Sequence, residues 1–302
     1  MGNALIILKQ ILIMFFYMAI GCLLYQRKLV TKEGSKSMAH LLLYVILPCV
    51  VIRSFCLERT PEKIQWLLIS MAGAVALLMI SMILSHVIFS KNEMDNFGAS
   101  FSNAGFMGFP LITAVLGDDA VFLAAGFVAL LNALQWTYGQ GILSHDWKVC
   151  SPEMVIKNPL ILSLIAGILI FLSGFPIPEI LQSGISSLAA LNGPLAMMIL
   201  GVYLAQTDIR SIFIDIHLYL VSSVRLIFIP LVSLLLMNIF FKENRDIAAS
   251  LMIACCAPVG SNLAVYAQKL DLDYTYAVKL VCLSTILSIV TMPMIIMIMN
   301  GL

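Results

Sequence analysis

The sequence predicts an all-α membrane protein of ten transmembrane helices, arranged as two inverted five-helix repeats with broken helices four and nine. Three observations lead there. Of 302 residues, 61% are hydrophobic and only 11% charged, against roughly 25% charged in soluble domains. With a mean hydropathy of +1.03, the chain has too little polar surface to coat a water-soluble globule. Its charges fall in short clusters between apolar runs of bilayer-spanning length, roughly 17 to 25 residues. Finally, the runs of the second half repeat the order and punctuation of the first.

The first five runs are Leu5–Leu24, Met38–Cys56, Ile64–Phe89, Phe97–Leu116 and Ala120–Leu143. The second five are Pro159–Gly174, Ile177–Ala205, Ile212–Phe241, Ile247–Ala267 and Tyr274–Met299. The first run is retained as a span: its positive charges mostly follow it, and no small-residue cleavage pattern closes it. The most polar internal stretch, 144–158, divides a first repeat, 1–143, from a second, 159–302. Corresponding runs start 139 to 154 residues apart. Pro48 and Pro194 interrupt the second run of each half, and Gly, Pro and Asn interrupt the fourth. A unit with an odd number of spans, joined to its copy, enters the membrane the other way up, which is an inverted-repeat transporter architecture.

Loop charges give the orientation. One set of loops holds ten Lys and Arg, the opposite set six, and Arg225 lies inside a span. The richer side is expected to be cytoplasmic. That puts the 144–158 linker inside and both termini outside, in a multi-pass cell-membrane protein.

Motifs narrow the chemistry. Neither a G-x-x-x-x-G-K-[ST] loop nor a G-x-S-x-G elbow is present, so ATP-driven and serine-hydrolase chemistry have no support. The seven cysteines show no C-x-x-C spacing and read as small apolar packing residues. No metal, no cofactor and no enzymatic activity is expected. The net charge of +1 gives no reason to expect nucleic acid. All 16 acids lie in loops or near span ends, which disfavours a pump built on buried carboxylates.

The two interrupted runs carry the candidate site. The fourth reads Phe101-Ser102-Asn103-Ala104-Gly105-Phe106-Met107-Gly108-Phe109-Pro110. The ninth reads Ala257-Pro258-Val259-Gly260-Ser261-Asn262. Proline lacks an N–H and clashes with the preceding turn, and glycine makes unwinding cheap. Such features also make plain kinks and close packing. Unwound backbone in hydrocarbon must be buried in protein or line a wet cavity, and a matched pair points to a midplane site. Half-helix N-termini there favour an anion. Asn103, Ser261 and Asn262 could add hydrogen bonds, with Pro110 and Pro258 holding the helices open. Asn132 and Gln135, on one helix face, either line the pathway or bond neighbouring helices. Arg225, near mid-span, is expected on released backbone carbonyls, on a substrate carboxylate, or snorkelling to the surface.

N-A-G-F-M-G-F-P, followed by A-P-V-G-S-N-L-A-V-Y-A, resembles the auxin efflux carrier family of bacterial permeases and plant auxin exporters. The bile acid:sodium symporters are more distant relatives. The resemblance runs through essentially the whole chain. It implies a scaffold of helices 1, 2, 6 and 7 that can support a homodimer, and a transport unit of helices 3–5 and 8–10 in which helices four and nine are crossed. It implies small organic anions as substrates. The resulting expectation is an alternating-access transporter of mono- or dicarboxylates. Two alternatives are a cation-coupled symporter of larger amphipathic anions and a non-transporting receptor.

Overall fold

The computed structural model describes residues 2–147, 153, 157–174, 177–241 and 244–301. Much of the 144–158 linker, including Cys150, lies outside the described residues. Throughout those residues the chain is helical, with no strand beyond one isolated bridge between Ser102 and Val259.

Thirteen helical segments follow in order. They are α1 (Gly2–Gln26), α2 (Lys32–Ser54), α3 (Pro61–Ile88), α4 (Glu93–Ser100), α5 (Ala104–Leu116) and α6 (Asp118–Ser144). After the linker come α7 (Pro159–Ser173), α8 (Glu179–Ala205), α9 (Ile209–Ile214), α10 (Ile216–Phe240), α11 (Arg245–Cys256), α12 (Asn262–Lys269) and α13 (Tyr274–Gly301). Among the described residues, seven helices are long and apolar enough to cross a membrane: α1, α2, α3, α6, α8, α10 and α13. Helices α5 and α7 are shorter apolar helices. Two boundaries differ from the hydropathy reading. The second span begins at Lys32, because Thr31 caps it by accepting the Gly34 N–H. The eighth begins at Ile216, because Asp215 breaks the run and caps α10.

Large apolar side chains such as Phe16, Leu68, Leu169, Leu235 and Ile239 face outward. A water-soluble protein rarely shows such a contiguous apolar surface, whereas hydrocarbon solvates it. Burial concentrates instead on α4, α5, α6, α11 and α12, which form the packed middle of the molecule.

Three of the four π-turns share one cause. Leu42–Ile46, Ala104–Gly108 and Val224–Phe228 each end two residues before a proline, namely Pro48, Pro110 and Pro230. The missing proline N–H and the bulk of its ring open the preceding turn into a wider one, and the helix runs on. Pro110 therefore does not hold the fourth helix apart, contrary to the expectation from sequence. The break lies upstream at Phe101–Asn103, and Gly105 and Gly108 sit in a π-turn and not in unwound chain.

The tightest helix pair is α1 against α8. A Cβ on Gly21 would lie 2.0 Å from the Met198 carbonyl oxygen, and one on Gly201 would lie 1.9 Å from that of Met18. Small residues let helix backbones approach this closely inside a membrane, and Cys22 Sγ donates to the Gly201 carbonyl at 3.0 Å. Gly201→Val must therefore push the two helices apart. The expected result is a lower melting temperature in detergent, by more than the same change at Gly184, where a Cβ meets open space.

Candidate functional site

The two interrupted helices meet in the middle of the packed core. Where α4 stops, Phe101 and Asn103 exchange backbone hydrogen bonds with the gap between α11 and α12. The Gly260 N–H donates to the Phe101 carbonyl at 2.9 Å, and the Asn103 N–H to the Pro258 carbonyl at 2.7 Å. The Val259 N–H is taken by Ser284 Oγ of α13 at 3.2 Å. Gly260 suits the close approach here: a Cβ would lie 3.1 Å from Gln135 Nε2 and 3.2 Å from the Ser102 carbonyl oxygen, so these neighbours would have to give way slightly.

Arg225 lies behind this crossing, 1% exposed. Its guanidinium donates to the carbonyls of Ala99 at 3.0 Å and Ser100 at 3.4 Å, at the end of α4. It also donates to Ala257 at 3.3 Å and to Cys255, at the end of α11. Four carbonyls that have no intrahelical donor thus share one cation, placed where two helix dipoles are negative. Snorkelling is not what the side chain does.

Helices α5 and α12 begin on the other side of the crossing. In α12 the Leu263 and Ala264 N–H groups turn back to the Gly260 and Ser261 carbonyls at 3.1 Å, and in α5 the Met107 N–H donates to the Asn103 carbonyl at 2.9 Å; both termini carry partial positive charge. Around them is a narrow cavity lined by Asn103, Gly105, Asn132, Gln135, Gly260, Ser261 and Asn262, together with Ser102. Asn262 Nδ2 donates to Gln135 Oε1 at 2.6 Å and to Asn132 Oδ1 at 3.4 Å. Asn132 Nδ2 is spent on its own helix, at the Val128 carbonyl. Asn103 Nδ2 and Ser102 Oγ are buried and have no partner among the described residues. Buried polar groups are almost always paired, and these two border the cavity.

Seven of the sequence-predicted residues therefore converge on one cavity. Gly108 faces away, against Ala254 of α11, and Pro258 contributes its carbonyl to the crossing. Pro110 lines a larger cavity toward the Arg53–Asp118 end of the molecule, where that ion pair closes at 2.6 Å. Arg225 is separated from the cavity by the crossing backbone.

Sequence reasoning missed Asn192. Its Nδ2 reaches from α8 to the Gly105 carbonyl at 2.7 Å. That carbonyl is free because its π-turn donor is Pro110. The available signal was an amide side chain two residues before Pro194 in an apolar run. Missed as well was the burial of Asp95, an acid near a span end whose side chain is 0% exposed.

An all-helical core with a polar cavity at crossed helix breaks defines a multi-pass membrane transport protein. A family described as membrane transport proteins matches residues 6–149 and 153–296, and the chain belongs to that family. It is 24% identical over 211 residues to a Rhizobium meliloti (strain 1021) protein described as "Putative malonate transporter", covering 67% of this chain and 65% of that one. It is 25% identical over 204 residues to an "Uncharacterized transporter" of Methanothermobacter thermautotrophicus, covering 65% of this chain and 64% of that one. The matches thus span just under two thirds of these relatives' lengths.

Arg225→Gln leaves most of the four carbonyls without a donor, at about 1–3 kcal/mol for each buried group left unsatisfied. Thermal unfolding in detergent should show a large loss of stability, partly restored in Arg225→Lys, which keeps the charge without the planar fork. A stable Arg225→Gln protein would rule out the capping role.

Proposed function

We propose that the protein is a secondary transporter of small organic anions, specifically mono- or dicarboxylates, working by alternating access. One observation carries this reading. At the crossing, the two helix C-termini are neutralised by Arg225, whereas the two N-termini and the unpaired donors of Asn103 and Ser102 face a cavity. The arrangement favours negative charge at this cavity. The cavity is about 10 Å³ in this conformation, room for about one water, so a carboxylate enters only when the crossing opens. The malonate description of one relative supports the same substrate class, and the narrow cavity favours small anions over large amphipathic ones.

In this reading the chain carries the architecture of the auxin efflux carriers: ten spans as two inverted repeats, with α4–α5 as the fourth and α11–α12 as the ninth. Helices α1, α2, α7 and α8 form the scaffold and the dimer contact, and the remainder moves against them. The molecule sits in the cell membrane with both termini outside.

Proteoliposomes should take up labelled malonate or a related short carboxylate above protein-free controls. Failure with every member of a mono- and dicarboxylate panel, at varied pH, Na+ and voltage, would overturn the reading. Asn103→Ala should raise the half-saturating substrate concentration about tenfold or more, the loss of one hydrogen bond to a charged group at roughly 1.5–3 kcal/mol, while the protein still inserts. For topology, single cysteines at positions 118 and 146 in a cysteine-free background should label from opposite faces, 118 from outside.

A further inference from the structure

Asp95 is the one acid among the described residues that is wholly buried. An ionised carboxylate removed from water is costly unless paired, so its partners define what it does. Its Oδ2 lies 2.6 Å from His217 Nε2, and its Oδ1 accepts from the Tyr276 hydroxyl. The three residues come from α4, α10 and α13, three elements of the substrate-carrying body. The His217 side chain, one residue into α10, is 45% exposed, so the cluster has a buried end and an exposed end.

Helix capping does not account for this burial. Asn92 is the N-cap of α4, and its Oδ1 accepts the Asp95 N–H at 3.2 Å. Asp246, the acid in the first turn of α11, is exposed. The other charged or titratable groups around the cluster are accounted for. From α3, His86 Nδ1 lies 3.4 Å from Asn96 Nδ2. Beyond the end of α6, His145 is paired with Glu93 at 2.7 Å. Asp215 and Asp273 accept the backbone N–H groups of His217 and Tyr276. From α12, Tyr266 packs on Phe97, and from α10, Arg225 holds the far end of α4. None of these supplies a cation in contact with Asp95; the imidazole is the partner that can.

We propose that Asp95 and His217 form a proton-binding site that loads from the membrane face where His217 is exposed, and that one proton travels with each organic anion. In the unloaded pair, Asp95 is a carboxylate and neutral His217 donates its Nε2 proton to Oδ2. A proton from water binds His217 Nδ1, and the Nε2 proton passes to Asp95 Oδ2. His217 is then neutral with its proton on Nδ1, and Nε2 accepts from the new carboxyl O–H. The pair has gained one proton and lost one negative charge. Tyr276 keeps its own proton and holds Oδ1 in place.

The coupling to transport is electrostatic. Asp95 stands near the N-terminus of α4, and the Ala99 and Ser100 carbonyls at its other end lie on Arg225. At 1.5 Å per residue, about 6–8 Å of helix separates them. Neutralising Asp95 removes a like charge from behind the crossing, so an anion binds there more readily, and by linkage the anion favours the proton.

The coupling rests on the carboxylate-transport reading; the proton site does not, and two measurements separate them. Infrared difference spectra of the purified protein on acidification, with no substrate, should show the carbonyl stretch of a buried protonated carboxyl that Asp95→Asn removes. In proteoliposomes clamped at zero voltage, acidifying the face that exposes His217 should concentrate malonate about tenfold per pH unit, the equilibrium for one proton per anion. This drive should be lost in Asp95→Asn and in His217→Gln, which keeps a donor to Oδ2 but cannot relay a proton. If Asp95→Asn does not fold, His217→Gln carries the test. A gradient that drives either variant as it drives the wild type, or the absence of an Asp95-dependent band, overturns the proposal. An Asp95-dependent band without any malonate transport upholds the proton site and removes the malonate reading instead.

Discussion

Two helices that stop in the packed middle of a membrane protein leave their last carbonyls with no water to satisfy them. Arg225 answers that problem for both helices at once. Its planar fork reaches Ala99 and Ser100 on one side and Cys255 and Ala257 on the other. A lysine has three donors on a single atom and cannot span the two ends in the same way. With the negative ends of α4 and α11 neutralised, the positive ends of α5 and α12 have no counter-charge in the protein. The anion preference proposed for the site rests on this asymmetry; no cationic side chain lines the cavity.

Much of this was legible in the sequence because hydrocarbon imposes a simple rule. Apolar runs of spanning length gave the helices, and matched interruptions gave the place of the crossing. Arg225 stood out because an unpaired arginine in a span needs a reason, and released carbonyls were among the reasons open to it. What the sequence obscured was which residues make the break. Pro110 looked like the breaker because proline usually is. Yet a proline inside a helix can be absorbed by widening one turn, as Pro48, Pro110 and Pro230 all show. The chain actually departs from the helix at Ser102, where the backbone pairs with Val259 across the crossing. That pairing is between residues 157 positions apart, and no local pattern encodes it.

The polar residues divide along the same line. Asn132 and Gln135 were open to two readings, pathway lining or helix-to-helix glue, and the geometry shows the second: each accepts from Asn262, and each borders the cavity. Asp95 defeated the expectation that acids near span ends face water. Hydropathy reports depth along the membrane normal, not lateral position, and an end residue on an inward helix face can be as dry as one at mid-span. The partners that show this, His217 and Tyr276, come from helices more than a hundred residues downstream.

The hydrogen bond from Asn192 to the Gly105 carbonyl joins α8 to the helix that follows the crossing. Because Pro110 has no N–H to offer, that carbonyl has no donor of its own to fall back on. Any movement that separates α8 from α5 strips it bare unless something else arrives. Water is the one donor available on that side, through the cavity that Asn192 and Pro110 line. In the proposed transport cycle, sliding of the two bodies would thereby be tied to wetting between them: a dry excursion leaves the carbonyl bare, and a hydrated one does not. Pro110 would then act as a check on leakage, because α8 could leave α5 only as the passage beside them fills.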